Sequence, residues 1–212
     1  MRAVIFDLDG TLVDSTADIV SCFTESLVAT GQPEPDPEAV RRLVGRPLTE
    51  MFGAFAAPRL VPELIATYRA RYWERCTEHT RPYPQTIDLL RRLESAGWML
   101  AIATAKRSDI AGRVVCGLGL DRWIRWVQGT DGFPTKPAPD VVEHALAAVG
   151  VPASRQSWMV GDTADDVVAG RAAGLSTAAV TTGAGTREAL AATAPDAVVA
   201  HLDELADHLL AP

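Results

Sequence analysis

The chain alternates short, wholly apolar runs with segments whose apolar residues recur every three to four positions. The runs at 3–6, 99–103, 123–127, 157–160, 177–180 and 197–199 each stop at a polar cluster and have the length of a buried strand. Between them, segments 107–118, 140–149 and 164–173 carry helical spacing. The second opens after Pro139 and closes at Gly150, and the third closes at Gly174. Strands alternating with helices of about ten residues predict βαβ units and a mainly parallel, doubly wound, Rossmann-like α/β core.

From Ser15 to Thr80 no strand-like run occurs. Ile19, Val20, Phe23, Leu27 and Val28 fall at helical spacing before Gly31, Asp36-Pro37-Glu38 is a helix start, and 62–76 reads as a further helix. The pattern predicts an all-helical cap over 15–80, inserted into an α/β core made of 1–14 and 81–212. The chain returns through Arg81-Pro82-Tyr83-Pro84, which cannot continue a helix.

Composition adds exclusions. A chain of 212 residues, 48% hydrophobic, is ample for a core that needs no disulfide or metal staple. A pI near 5.1 argues against a nucleic-acid partner. The longest apolar run, from Trp98 to Ala103, is far too short to span a bilayer, and Asp7 interrupts any signal-peptide core. Cys22, Cys76 and Cys116 have no CxxC spacing, so each is expected to be a small core residue in a reducing, cytoplasmic setting. The four histidines form no metal spacing and are expected on the surface. Only two of the 20 basic residues are lysines, Lys106 and Lys136.

Ligands of an open parallel sheet bind beyond the carboxyl ends of its strands. There the sequence places Asp7-Leu8-Asp9-Gly10-Thr11, then Thr104-Ala105-Lys106, then Lys136-Pro137, then Gly161-Asp162-Thr163-Ala164-Asp165-Asp166. Asp7 and Asp9, two apart on an extended segment, point to one side, and Asp162 and Asp166 are expected nearby. Oxygen donors crowded this way suit Mg²⁺, and the lack of adjacent His or Cys argues against zinc. A lysine among acids holds a phosphate as a point charge. Taken singly, each Asp is also a plain turn former or helix N-cap, and Lys106 also reads as the flank of a helix start. Gly183-Ala184-Gly185 reads as a tight turn.

Taken together, Phe6-Asp7-Leu8-Asp9-Gly10-Thr11-Leu12-Val13-Asp14-Ser15, Thr104, Lys136-Pro137 and Gly161-Asp162-Thr163 with Asp166 resemble the four motifs of the haloacid dehalogenase superfamily. They look most like its phosphoglycolate phosphatase-like branch, whose helical cap follows the first motif. The resemblance implies Asp7 as a nucleophile forming an aspartyl-phosphate and Asp9 as general acid and then base. It implies Thr104, Lys136 and the backbone of Ala105 as phosphate binders. It implies Mg²⁺ held by Asp7, the carbonyl of Asp9 and Asp162, with Asp166, or alternatively Asp165, in support.

Val44-Gly45-Arg46-Pro47-Leu48 resembles the family's substrate-facing loop, which implies Arg46 as a clamp for a carboxylate or second phosphate; an exposed cap arginine is the alternative. Many relatives carry Asn where Ala105 stands, so the phosphoglycolate substrate does not transfer directly. The implied activity is Mg²⁺-dependent hydrolysis of a small phosphorylated metabolite by a monomer or homodimer. A sugar phosphomutase and a non-catalytic phospho-ligand binder are the alternatives. A cap without lysine excludes the imine chemistry of phosphonate hydrolysis.

Overall fold

The computed structural model describes residues 1–210. Its contacts divide the chain into two compact units, Met1–Asp14 with the chain from Pro82 onward, and Ser15–Arg81. In chain order, β1 (Ala3–Phe6) and β2 (Val13–Asp14) precede four helices, α1 (Thr16–Ala29), α2 (Pro37–Arg41), α3 (Leu48–Gly53) and α4 (Val61–Arg75). After β3 (Arg81–Pro82) come α5 (Thr86–Ser95), β4 (Met99–Ala103), α6 (Ser108–Gly117), β5 (Trp126–Gln128), α7 (Asp140–Ala148) and β6 (Trp158–Gly161). The chain closes with α8 (Ala164–Ala172), β7 (Ser176–Val180), α9 (Arg187–Ala192), β8 (Ala197–Val199) and α10 (Leu202–Leu210).

The first unit is built on a six-stranded sheet in the order β5-β4-β1-β6-β7-β8, with every pairing parallel. The central strands β1 and β4 are apolar on both faces because both faces are covered by helices. Ala3, Ile5, Ala101, Ala103 and Met159 pack against Val141, Val142, Ala145 and Leu146 of α7 and Ala169 of α8. The alternate residues Val4, Phe6, Leu100 and Ile102, equally buried, point to the other face. The expected doubly wound α/β fold is therefore present. The strand order reverses between β1 and β6, and that switch point is where such sheets bind ligands.

Two expectations need correction. The apolar run 123–127 is not one strand. Gly119, in the left-handed region at φ 69°, starts a 3₁₀ turn at Leu120–Arg122, so Trp123 and Ile124 are buried in the turn and pairing begins at Trp126. Cys22 and Cys76 are buried, but Cys116 is exposed. It follows Val114 and Val115 on α6 and falls one helical step off the face that Ala111, Val114 and Val115 bury. The histidines are all on the surface, as expected.

The helical unit packs α4 against α1 and α3. Its core is aromatic. Phe23 stacks on Phe52 with centroids 4.1 Å apart, Phe55 and Tyr68 meet that pair edge-on, and Tyr72 stacks on Tyr68. Asp36 caps α2 by accepting from Glu38 N–H, with Pro37 in the first turn. Glu25 of α1 pairs with Arg71 and Arg75 of α4. Among the described residues no helix is long and apolar enough to cross a membrane.

Candidate active site

The site lies at the carboxyl edge of the sheet, around the switch point. Asp7 directly follows β1, and its N–H still donates to Val160 O at 2.8 Å, so its side chain emerges at the sheet edge. The chain then turns tightly at Gly10, whose φ is 77° and whose N–H donates to Val13 O. Asp162 directly follows β6. Asp166 lies in the first turn of α8 and forms a reciprocal capping box with Thr163, whose N–H and hydroxyl both donate to Oδ2 of Asp166, at 3.0 and 2.6 Å.

Asp7, Asp162 and Asp166 each offer one oxygen, all within 4.8 Å of one another, and all three residues are buried. The Lys136 ammonium, itself buried, donates to Ala103 O at 3.1 Å and to Asp166 Oδ1 at 2.5 Å, and lies 3.1 Å from Asp7 Oδ1. That last contact is an ion pair out of line for a hydrogen bond, so the buried Asp7 Oδ1 accepts none. One ammonium faces two of the three carboxylates.

Asp7 and Asp162 are both raised. Burial above all lifts Asp7 to about 6; Lys136 opposes the rise and the neighbouring carboxylates Asp166 and Asp9 add to it. Burial, then Asp166 and Asp7, push Asp162 up to about 8, against the hydrogen bonds it accepts from Ala184 N–H and Thr11. Lys136 is shifted upward, its carboxylate partners outweighing its own burial. A buried oxygen without a donor, in an all-oxygen cluster with surplus negative charge, fits a hard divalent cation such as Mg²⁺. Within that cluster both oxygens of Asp166 are already engaged by Lys136 and Thr163, which suits it to holding its neighbours in place. Asp165, one position away, is exposed.

Asp9 stands apart from this trio. Its Oδ2 lies 2.7 Å from the Lys106 ammonium, both side chains being largely buried. Thr104 is buried after β4, its N–H donating to Gln128 O and its Oγ1 accepting from Lys106 N–H. Ala105 separates these two residues. Arg46 is exposed in the helical unit, between α2 and α3.

Three supporting groups have roles that the sequence left open. Lys106 is one, since nothing in a Lys-Arg pair before a helix distinguishes a flank from a partner of Asp9. Thr11 is the second, donating to Asp162 Oδ1 at 3.1 Å. The third is the loop 183–185. Ala184 N–H donates to Asp162 Oδ2 at 2.8 Å and Gly185 N–H to Asp162 O at 3.1 Å. A Cβ on Gly183 would stand 1.9 Å from Asp162 Oδ2. The Gly-x-Gly spacing after a strand is the one signal that pointed there.

Residues 4–180 match the family described as haloacid dehalogenase-like hydrolase. The chain is 33% identical to a phosphoglycolate phosphatase of Neisseria meningitidis over 99% of its own length and 94% of that protein's. It is 35% identical to the tyrosine-protein kinase PtkA of Mycobacterium tuberculosis, over 98% of this chain and 72% of the relative. A haloacid dehalogenase-like hydrolase from Streptococcus pneumoniae superposes with a TM-score of 0.89 at 30% identity, covering 98% of each chain.

Proposed function

The chain belongs to the haloacid dehalogenase-like hydrolases, and from that premise we propose that it is a Mg²⁺-dependent phosphatase of a small phosphomonoester, working through an aspartyl-phosphate on Asp7. The observation that carries the reading is the buried trio Asp7, Asp162 and Asp166 at the switch point of the sheet, with the Lys136 ammonium against two of them, Asp7 and Asp166.

In this reading an oxygen of Asp7 attacks phosphorus and the ester P–O bond breaks. Asp9 gives its proton to the departing alkoxide and then takes one from the water that attacks the aspartyl-phosphate. Splitting the displacement in two lets one side chain serve both half-reactions. Thr104, the Ala105 backbone and Lys136 hold the phosphoryl oxygens, where charge concentrates during transfer. Asp7, the Asp9 carbonyl and Asp162 would hold Mg²⁺, with Asp166 in support. When bound, the ion neutralises phosphoryl charge. Arg46 is the proposed contact for a second anionic group of the substrate.

The test is hydrolysis of p-nitrophenyl phosphate. Turnover should require Mg²⁺ and vanish in Asp7→Asn; turnover that persisted in EDTA or in that variant would sink the mechanism. The kinship with a protein named a tyrosine kinase, and the absence of a side-chain donor at Ala105, favour a second reading in which the Asp7 phosphoryl group passes to an acceptor other than water. A phosphorylated acceptor, a tyrosine peptide or a sugar phosphate, appearing in place of free phosphate would select it.

A further inference from the structure

We infer that Lys106 is a positioning residue for Asp9, fixing the carboxylate that transfers the leaving-group proton. The inference rests on the phosphatase reading above. The two motif aspartates after β1 each have their own ammonium, and the two ammoniums come from different strand ends. Lys136, after β5, serves Asp7, and Lys106, after β4, serves Asp9 at 2.7 Å. These are the only two lysines in the chain.

Lys106 is braced where a surface lysine would be loose. Its N–H donates to Thr104 Oγ1 at 3.3 Å and its carbonyl accepts from Thr130 N–H at 3.0 Å. The Thr130 hydroxyl donates to Ala105 O at 3.0 Å, tying the loop after β5 to the loop after β4. Gly129 lies so close that a Cβ there would stand 2.3 Å from Lys106 O and from Ser108 N. Four flexible carbons therefore start from a fixed backbone and end, with 12% of the side chain exposed, on a carboxylate that is 11% exposed.

A proton donor must sit within about 3 Å of the oxygen it serves, and misplacing a catalytic group by about 1 Å costs on the order of a hundredfold. Asp9 lies on a tight turn outside the acidic trio. The ammonium 2.7 Å from Oδ2 restrains that oxygen. In the first half-reaction the ester bond breaks, the Asp9 proton goes to the leaving oxygen, and the carboxylate left behind faces the Lys106 ammonium.

The experiment measures first-turnover release of phenol from a series of aryl phosphates, from p-nitrophenyl to p-methoxyphenyl, with saturating Mg²⁺. A p-nitrophenolate leaves unaided, whereas a p-methoxyphenolate needs the proton. In Lys106→Met the p-methoxyphenyl rate should fall about 10- to 100-fold further than the p-nitrophenyl rate does. Lys106→Arg should recover part of the loss. If Lys106→Met folds poorly, Lys106→Gln reads the same slope. A parallel fall across the series, or a raised KM with unchanged kcat, overturns the positioning role. Wild-type turnover without Mg²⁺, or turnover by Asp7→Asn, would instead overturn the phosphatase reading, and both are measured before any Lys106 variant.

Discussion

Lys136 donates to Oδ1 of Asp166 at 2.5 Å, and this bond joins the loop after β5 to the first turn of α8. The same ammonium lies 3.1 Å from Asp7 Oδ1, so it sets a positive charge against two of the three buried acids Asp7, Asp162 and Asp166. Removing one partner of a buried ion pair typically costs about 3–5 kcal/mol, because the remaining charge is left uncompensated.

Lys136→Met should therefore abolish turnover and also destabilise the metal-free protein. The loss of Tm should be larger at pH 8.5 than at pH 5.5, because at the lower pH the Asp7 and Asp162 carboxyls take up protons and the repulsion falls. Thermal unfolding in EDTA at the two pH values is the check. An unchanged Tm at pH 8.5 would mean that Lys136 does not balance the trio.

Metal binding should be linked to protons. Asp7 is lifted to about 6 and Asp162 to about 8, chiefly by burial. Folded values above the ordinary carboxyl range favour folding at low pH. That contribution is complete below about pH 4 and disappears as the pH rises through 6 and then 8. A cation binds the deprotonated forms. The rise in Tm on adding Mg²⁺ should thus grow from pH 5.5 to 8.5, and at pH 7 binding should release roughly one proton per ion, mostly from Asp162. Calorimetry in two buffers of different ionisation enthalpy measures the release. Identical heats in the two buffers would refute it.

Much of this was legible in the chain. The β1 and β4 runs are read to the residue, because uninterrupted apolar runs bounded by Asp7 and Thr104 leave no other reading. That Asp7 and Asp162 share one edge follows from each ending a strand of a parallel sheet, which the βαβ alternation implies; that β1 and β6 are neighbours did not follow from it. What stayed hidden depends on contacts across the sheet edge. Trp123 and Ile124 are as apolar as any strand residue, and only the left-handed Gly119 diverts them into a turn. Lys106 pairs with a residue 97 positions earlier, a contact that no local pattern encodes. The seat of Asp162 is partly backbone, from Ala184 and Gly185, and backbone donors have no side-chain signature.

Within the helical unit, Asp18 of α1 should be the most sensitive polar position. It is 2% exposed and accepts from His79 N–H, His79 Nδ1, Thr80 N–H and the Thr80 hydroxyl at 2.7–3.0 Å. Burial alone would raise this carboxyl, but the bonds from Thr80 and His79 outweigh it and hold it below its ordinary value. The stabilisation is therefore present above the unfolded carboxyl range and lost as pH falls through the folded value. Asp18→Ala strands the two buried Thr80 donors and loses the His79 bonds, and should cost about 2–4 kcal/mol at pH 7. Urea unfolding at pH 7 tests this, and a change within 0.5 kcal/mol would show that water replaces the carboxylate, at about the level of an ordinary surface substitution.

The last prediction concerns the loop that seats Asp162. A Cβ on Gly183 would fall 1.9 Å from Asp162 Oδ2 and 2.4 Å from its Cγ, closer than any real contact. Asp162 cannot yield freely, because Ala184 N–H and Thr11 hold its two oxygens and Gly185 N–H holds its carbonyl. Gly183→Ala should thus push the carboxylate off its seat while leaving the sheet intact. Displacing groups that orient a metal ligand costs typically 10–100-fold in affinity, so Mg²⁺ should bind about 10-fold weaker or worse, with kcat recovering in part at high Mg²⁺. Gly53→Ala is the control. Gly53 ends α3 with nothing within 4 Å of a Cβ, so alanine there should leave Mg²⁺ affinity unchanged and add up to about 1 kcal/mol of stability. Mg²⁺ titrations of both variants decide the point, and equal affinity in Gly183→Ala and wild type would show that Asp162 is not a ligand held by this loop.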